Sequence, residues 1–517
     1  MRGVAAKIGT PEQDIVLLPW AELNNTWIYD QDAFCDSTVI WNGTICEVRR
    51  GNYYLESESE SFEKMKDLTA AGGSAIETQG KGAELGISKL LTSSIGGTDT
   101  FTPGDVNSLP SFPVGIPRIA WDHGYTMLHA MGMGRNSTLL NALVQTGQIS
   151  ARVWSIFWGR MWVDTSDALD GSLVLGGYNQ DQVFGANYTQ PLDYSDATGC
   201  WTGMKVHLSR ILLNYRNGSD FDLLPTNTAI DVCIVPHRQM MLEAPLSVVE
   251  TFESITGMRN LGQSFGLHWS AFLYDLDNIY DGDMTFELSQ GLQVRVPNNQ
   301  FLVPFVDIDR NGSRTFNTSR RELLINGVYN QPATIGRYFL TAAYLMVDQD
   351  EGTFTMWQAN PSSSRTLVPV MGSMAEEACQ NGTIGDPSAN TTPSPSGSYD
   401  VSDSPANVGL SSGGIAGIVV GCVAALLLIG VIVFLLRRSR RKRRAQPQLN
   451  ADDIQESDKV PYNDHQQYAS QSLGGGNAMT DNNERVHELH DAQSGVAEMY
   501  GLHEPRVYEM DGTYHGR

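Results

Sequence analysis

Few groups of residues in this chain have the types and spacing of a catalytic or metal-binding site. Its ten histidines are scattered, and none is spaced with Cys or Asp as metal ligands usually are. The glycines of "LGGYNQ" and "GMGRNS" lack the strand, loop and helix that together bind phosphate. No local pattern indicates a serine hydrolase or a glycosidase. We therefore expect neither a metal nor a cofactor.

Asp231 is an acidic residue with apolar neighbours, within the segment "TAIDVCIVP". Two carboxylates that share one proton can activate a water molecule, because one accepts its proton while the other donates to the substrate. A single carboxylate has no such partner. Its alternative role is to accept hydrogen bonds from the backbone of its own turn.

The elements that would position such a site are mainly β-strands. Residues 1 to about 375 alternate short apolar runs with Gly, Pro, Asn and Asp, which is typical of an all-β fold. Examples are "VWSIFWG", "GSLVLGG", "LQVRVP" and "YFLTAAYLMV". Two segments, "STLLNALVQTG" and "PLSVVETFESITG", have helical spacing and end in Gly.

The net charge of -23 argues against a nucleic-acid partner. Hydropathy and a local basic run predict a chain that crosses a membrane once. Residues 414–436 are apolar and long enough to span a bilayer, and seven Lys or Arg follow within 437–444, which places the C-terminal side in the cytoplasm. Gly417 and Gly421 have the GxxxG spacing of paired membrane helices, a spacing that also arises by chance in a Gly-rich span.

Glycosylation sequons agree with this topology. Asn-x-Ser/Thr is modified only on the lumenal side, and the segment after Arg444 contains none. We therefore expect the N-terminal part to lie outside the cell, and glycosylation at nine sites: Asn24, Asn42, Asn136, Asn187, Asn217, Asn311, Asn317, Asn381 and Asn390. Met1 is followed by "RGVAAK" without the apolar core of a signal peptide, so we expect an incomplete N-terminus.

Two segments near the C-terminus have the composition of disordered chain. Residues 379–413 are rich in Ser, Thr, Pro and Asn and predict a stalk. Residues 445–517 carry thirteen acidic and four basic residues and predict a disordered cytoplasmic tail. Within this tail "RVHELH" recurs as "RVYEMD", either by chance or as a duplicated docking motif for a cytoplasmic partner.

Five segments in order resemble the pepsin-like aspartic peptidases, especially the membrane-anchored members of fungi. They are "IGTPEQ", "NNTWIYDQDAFC", "DGSLVLGGYNQDQVFGANYTQPL", "CWTGMKVHLSRILLN" and "ATIGRYFLTAAYLMVDQDEGTFTMWQAN". The resemblance implies an all-β, bilobal fold with an N-terminal lobe over 1–185 and a C-terminal lobe over 186–378. Stalk, membrane helix and cytoplasmic tail would then occupy 379–413, 414–436 and 437–517.

The chain departs from this family where the chemistry takes place. Each lobe of the family contributes one Asp in a D-T/S-G turn, but the first turn aligns with Trp20-Ala21-Glu22 and the second with Asp231-Val232-Cys233. The stretch 72–86, which corresponds to the family's flap, has no aromatic residue. Arg337 stands where the closing I-L-G-D segment has its acid. We interpret Trp20 and Asp231 as vestigial, so that no catalytic residue is assigned.

The resemblance also suggests the disulfides and the lining of the cleft. It implies a bond between Cys35 and Cys46, while Cys200 pairs with Cys233 or, as the alternative, with Cys379. The cleft-lining candidates are Ala21, Glu22, Val232, Cys233 and Cys200.

The sequence thus predicts a membrane glycoprotein of the plasma membrane or another secretory membrane, with an ectodomain that binds or senses rather than cleaves. Its cleft would take a peptide or a cell-wall ligand, and its tail a cytoplasmic partner. The alternatives are an active aspartic endopeptidase that processes proteins at the cell surface and a structural adhesin that binds through its outer surface.

Overall fold

The computed structural model describes residues 2–30, 35, 40, 42–77, 94–118, 128–160, 168–195, 198–372 and 508–511. The chain divides into one unit made of Met1–Ile384 with Tyr500–Arg517 and a second unit, Gly385–Met499. All elements named below belong to the first unit. This division does not separate 1–185 from 186–378, and the boundary expected at 185 falls inside a strand, Val183–Pro191.

β-Strands dominate the described residues, which confirms the all-β class. The strands are β1 (Val4–Ile8), β2 (Gln13–Trp20), β3 (Thr26–Trp27), β4 (Glu63–Met65), β5 (Ser94–Pro103), β6 (Leu109–Pro117), β7 (His129–Gly132), β8 (Val153–Phe157), β9 (Ser172–Leu175), β10 (Gly177–Asn179), β11 (Val183–Pro191), β12 (Lys205–Asn214), β13 (Asp220–Asp222), β14 (Ile230–Ile234), β15 (Leu242–Pro245), β16 (Phe272–Asp275), β17 (Asp283–Leu288), β18 (Gln293–Val296), β19 (Leu302–Ile308), β20 (Arg314–Leu323), β21 (Ile325–Val328), β22 (Ala333–Ile335), β23 (Ala343–Asp348), β24 (Thr353–Ala359), β25 (Leu367–Pro369) and β26 (Tyr508–Asp511).

The helices are short. They are α1 (Gly43–Arg50), α2 (Thr138–Gln145) and α3 (Leu246–Thr256), with single 3₁₀ turns at Glu56–Glu58, Gln180–Gln182, Ser289–Gly291, Asn298–Gln300 and Phe339–Thr341. The two helices predicted from sequence, α2 and α3, are confirmed. Ser137 caps α2 by accepting a hydrogen bond from the amide of Leu140, and Gly257 ends α3 in the left-handed conformation.

Two large sheets follow one plan. The seven-stranded sheet has the order β1-β2-β7-β3-β6-β5-β4, and β1 also pairs with β5. The eight-stranded sheet has the order β18-β17-β12-β14-β22-β15-β21, with β13 on β12. Each contains two parallel pairs, β2 with β7 and β3 with β6 in the first, β14 with β22 and β15 with β21 in the second. From Ile15 to Trp20 every residue of β2 is buried, as expected for a strand covered on both faces.

A six-stranded sheet draws on distant parts of the chain. Its order is β11-β24-β23-β8-β9-β26, so it joins residues 153–191 with residues 343–359 and with the edge strand β26. β26 pairs antiparallel with β9 and consists of "YEMD", the end of the second tail repeat. Four residues of the segment predicted to be disordered are therefore a strand in this structure. Smaller sheets pair β10 with β25 and order β16-β20-β19.

No helix in the described part of the chain is long and apolar enough to cross a membrane. The predicted span 414–436 and the predicted stalk 379–413 lie outside the described residues, as do Asn381 and Asn390.

Candidate functional site

A stacked pair of rings occupies the place where the resemblance expects the first catalytic acid. Trp20 is the last residue of β2, and its indole stacks on the imidazole of His237, with ring centroids 3.6 Å apart and an angle of 9° between the planes. Trp20 is 0% exposed and His237 is 6% exposed. His237 follows β14 by three residues, so the ends of two strands from different sheets meet at this stack.

Glu22 is a buried acidic residue next to His237 of this stack. Its Oε1 atom lies 3.4 Å from Nε2 of His237, and its side chain is 0% exposed. A glutamate beside a histidine can pass a proton, but general acid–base catalysis requires a substrate or water within hydrogen-bonding reach. Both groups are shielded from solvent, so this pair has the setting of a structural contact.

Arg337 is a third buried polar residue at this place, and it contacts His237. Its Nη1 donates to the backbone oxygen of His237 at 3.2 Å, and its guanidinium lies over the Trp158 ring at 5.4 Å. Burial lowers the pKa of Arg337 from its ordinary value. A cation that holds the backbone of the His237 turn thus takes the position where the resemblance expects an acid.

A second buried cluster lies next to Arg337 in sequence. His268 Nδ1 lies 2.5 Å from Oε2 of Glu322, and its Nε2 lies 3.0 Å from the hydroxyl of Tyr338. Ser264 also donates to Glu322. Burial raises the pKa of Tyr338 from its ordinary value, although neighbouring Arg337 opposes the shift. Sequence reasoning missed this cluster because its members are far apart in the chain and no local motif marks them.

Asp231 lies in a different environment from Trp20. Its side chain is 51% exposed and pairs with Nζ of Lys205 at 2.7 Å and with Nδ1 of His207 at 2.8 Å, across the β12–β14 ladder. Partial burial raises the pKa of Asp231, but the hydrogen bonds from His207 and Lys205 outweigh it, so the net pKa is below the ordinary value. The described residues therefore do not bring Asp231 into a carboxylate pair with Glu22.

The predicted cleft residues are buried in the fold. None of the five cleft-lining candidates is more than 3% exposed; they are Ala21, Glu22, Val232, Cys233 and Cys200. Their role as the lining of a cleft stays a prediction.

Both disulfides chosen from the resemblance are confirmed. Cys35 bonds Cys46 and Cys200 bonds Cys233, which excludes the alternative of Cys200 with Cys379. The second bond packs with Trp201 and Val235. Because Cys233 lies on β14, this bond fastens the strand that leads to His237.

Glu77 accepts several buried hydrogen bonds, and sequence reasoning did not single it out although it lies within the stretch 72–86. Its buried carboxylate accepts from the amides of Asn24 (2.6 Å) and Asn25 (3.2 Å), from Nδ2 of Asn25 (2.6 Å) and from Nε1 of Trp27 (3.1 Å). Burial raises the pKa of Glu77 to about 7 although these donors favour the ionised form. Glu77 thereby fixes its segment to the loop that follows Trp20.

The sequons differ in accessibility. Asn24 is 3% exposed, its Nδ2 donates to the Ile76 carbonyl at 2.7 Å, and its Oδ1 accepts from the Asn136 amide at 2.9 Å. A glycan on Asn24 is incompatible with this folded structure, so that prediction is corrected. Asn42 is half-buried and caps α1. The exposed sequon asparagines are Asn136, Asn187, Asn217, Asn311 and Asn317.

Within the described residues, no group of three or more His, Cys, Asp or Glu is arranged to hold a metal ion. Comparison of the chain with models of known protein families finds no match, and a search of curated proteins finds no significant match either.

Proposed function

We propose that this chain is a membrane-anchored glycoprotein with a bilobal fold like that of the pepsin-like aspartic peptidases, and that it binds a ligand without cleaving it. The observation that carries the proposal is the Trp20–His237 stack. An indole cannot ionise or activate water, and the nearby acid, Glu22, is shielded and contacts His237.

The fold plan supports the proposed likeness. Two large sheets each contain two parallel strand pairs, and a third sheet combines strands from both halves of the ectodomain. The two disulfides also connect the cysteines that the resemblance selected. These features favour two related lobes around one centre.

The ligand of such a protein would be a peptide, a cell-wall component or a partner protein. Because Trp20, Glu22 and His237 are buried, the ligand would contact residues around this centre rather than these side chains. A surface adhesin is distinguished from this proposal by substitutions on the outer faces, which would then remove binding.

The decisive test is an activity assay on the full chain, purified in detergent. Unfolded casein is incubated with the protein from pH 3 to 7, with and without a transition-state-mimicking inhibitor of aspartic peptidases. An active aspartic peptidase in the same detergent is the positive control. We expect no inhibitor-sensitive cleavage at any pH. Such cleavage, abolished by Asp231→Ala, would establish the alternative of an active cell-surface endopeptidase.

A further inference from the structure

The hairpin turn between β12 and β13 presents the sequon Asn217-Gly218-Ser219. The turn is closed by hydrogen bonds from the Tyr215 amide to the Ser219 carbonyl (2.9 Å) and from the Gly218 amide to the Tyr215 carbonyl (3.0 Å). Gly218 has a φ of +85°, which a residue with a side chain adopts only with strain. Asn217 is therefore held at an exposed and well-defined tip.

The side chain of Asn217 is oriented by its own serine. Its Oδ1 accepts from the Ser219 amide at 2.9 Å and from the Ser219 hydroxyl at 2.7 Å. Asn317 makes the same two contacts with Ser319, at 2.9 Å and 2.6 Å. In both cases the amide oxygen is used internally, so the amide nitrogen, to which an N-linked glycan is attached, is the atom left for modification.

Asn217 differs from Asn317 in the residue two positions before it; the aromatic residues next to Asn317 are instead Phe316 in the chain and Phe305 across the β19–β20 ladder. Two residues before Asn217 is Tyr215, which lines an open cavity of about 590 Å³ and whose ring makes edge-to-face contacts with Phe221 and Tyr280. The residue at the corresponding place before Asn317 is Thr315, which has no ring. A pyranose presents a face of C–H groups, and such a face packs on the electron-rich face of an aromatic ring.

The cavity beside Tyr215 has polar walls whose charges balance. Arg295 Nε lies 2.8 Å from Asp283 Oδ2, and Arg216 Nε lies 3.1 Å from Asp281 Oδ2. Two guanidinium groups and two carboxylates leave no net charge to attract an ion. This lining suits a neutral ligand rich in hydroxyl and amide groups, which is the chemistry of a glycan core.

We propose that the N-linked glycan on Asn217 packs its first N-acetylglucosamine on Tyr215 and continues along this cavity, so that the sugar becomes part of the folded surface. The inference rests on the proposed lumenal location of residues 1–378. Because the sugar is covalently attached, its local concentration is high, and a weak contact is enough to hold it in place.

The test is a double-mutant cycle on the full chain expressed in eukaryotic cells. Thermal midpoints are measured for wild type, Asn217→Gln, Tyr215→Ala and their double variant, and the matched control is Asn317→Gln, alone and combined with Tyr215→Ala. We expect Asn217→Gln to lower the midpoint by about 2 °C or more when Tyr215 is present, and by less than half as much in Tyr215→Ala. The effect of Asn317→Gln should be the same with or without Tyr215.

Peptide mapping by mass spectrometry distinguishes a failure of the glycan packing from a failure of the proposed lumenal location. An additive cycle with Asn217 glycosylated would overturn the packing and leave the lumenal location intact. A bare Asn217 beside a glycosylated Asn317 would overturn the inference in the same way. Absence of glycans at all five exposed sequons would overturn the proposed location itself.

Discussion

At the scale of single residues, Trp20 and Asp231 have opposite environments although both stand where the resemblance expects catalytic acids. Trp20 is completely buried and stacked on His237, whereas the Asp231 side chain is about half exposed. We expect Trp20→Ala to lower the free energy of unfolding by about 3–5 kcal/mol, because it leaves a cavity in the core. Asp231→Ala should cost less than about 1 kcal/mol, as exposed ion pairs usually do. Denaturant unfolding of both variants checks this, and equal losses would contradict it.

Glu77 predicts a specific dependence of stability on pH. Its pKa rises from 4.5 to about 7 on folding, so the folded state keeps the proton over a range in which the unfolded state has lost it. Its contribution to stability is therefore largest below pH 4.5 and falls by about 3 kcal/mol as pH rises to 7. Glu77→Gln removes this titration. The measurement is the difference in unfolding free energy between wild type and variant from pH 4 to 8.

Because His129 also titrates with folding, the effect of Glu77 is measured as a difference in unfolding free energy between wild type and Glu77→Gln. His129 is buried, its Nδ1 accepts from the Tyr29 amide at 2.9 Å, and its pKa falls from 6.5 to about 3 because burial, together with Arg50, disfavours the imidazolium. Its contribution to stability is complete above pH 6.5 and is lost as pH falls toward 3. This trend opposes that of Glu77 in wild type but cancels in the comparison. A wild-type advantage that grew with pH would refute the assignment to Glu77.

At the scale of elements, the end of α1 depends on one glycine. Gly51 has a φ of 75°, and a Cβ there would lie 2.7 Å from the Val16 carbonyl oxygen on β2. Gly147, two residues beyond α2, has a φ of 67° but open space around it. We expect Gly147→Ala to cost about 1 kcal/mol of stability from the left-handed conformation alone. Gly51→Ala should cost about 2–4 kcal/mol of stability, because the added methyl group would clash with the backbone of β2, which cannot move away. Thermal unfolding compares the two, and similar losses would show that the Val16 contact is unimportant.

The elements also show what could be predicted from sequence and what could not. The helices α2 and α3 and many strands were predictable because periodicity, caps and punctuation are local. The disulfides followed from the resemblance. His237, Glu77 and the His268–Glu322 contact were missed, because each acts on a partner 50 or more residues away, across elements whose pairing no local pattern specifies. The burial of Asn24 was missed for the same reason, since a sequon says nothing about packing.

At the scale of the whole molecule, the pairing of β26 with β9 and the proposed membrane crossing cannot hold together in one chain. β26 pairs with β9 on the edge of the six-stranded sheet, which requires residues 508–511 and 172–175 on the same side of any membrane. The proposed crossing at 414–436 would put them on opposite sides. The basic run at 437–444 and the lack of sequons after it favour the crossing. In that case the edge of β9 would be free to pair with another extended segment.

The crossing predicts where the C-terminus is found in cells. With an epitope tag after Arg517, we expect antibody binding only after the plasma membrane is permeabilised, while an antibody against residues 1–378 binds intact cells. Neutral substitution of the basic residues in 437–444 should weaken this orientation, because these charges decide which flank stays in the cytoplasm. A tag that is accessible on intact cells would instead favour the β26–β9 pairing. Residues 508–511 would then be an integral edge of the ectodomain, and the tail could not carry a cytoplasmic docking motif there.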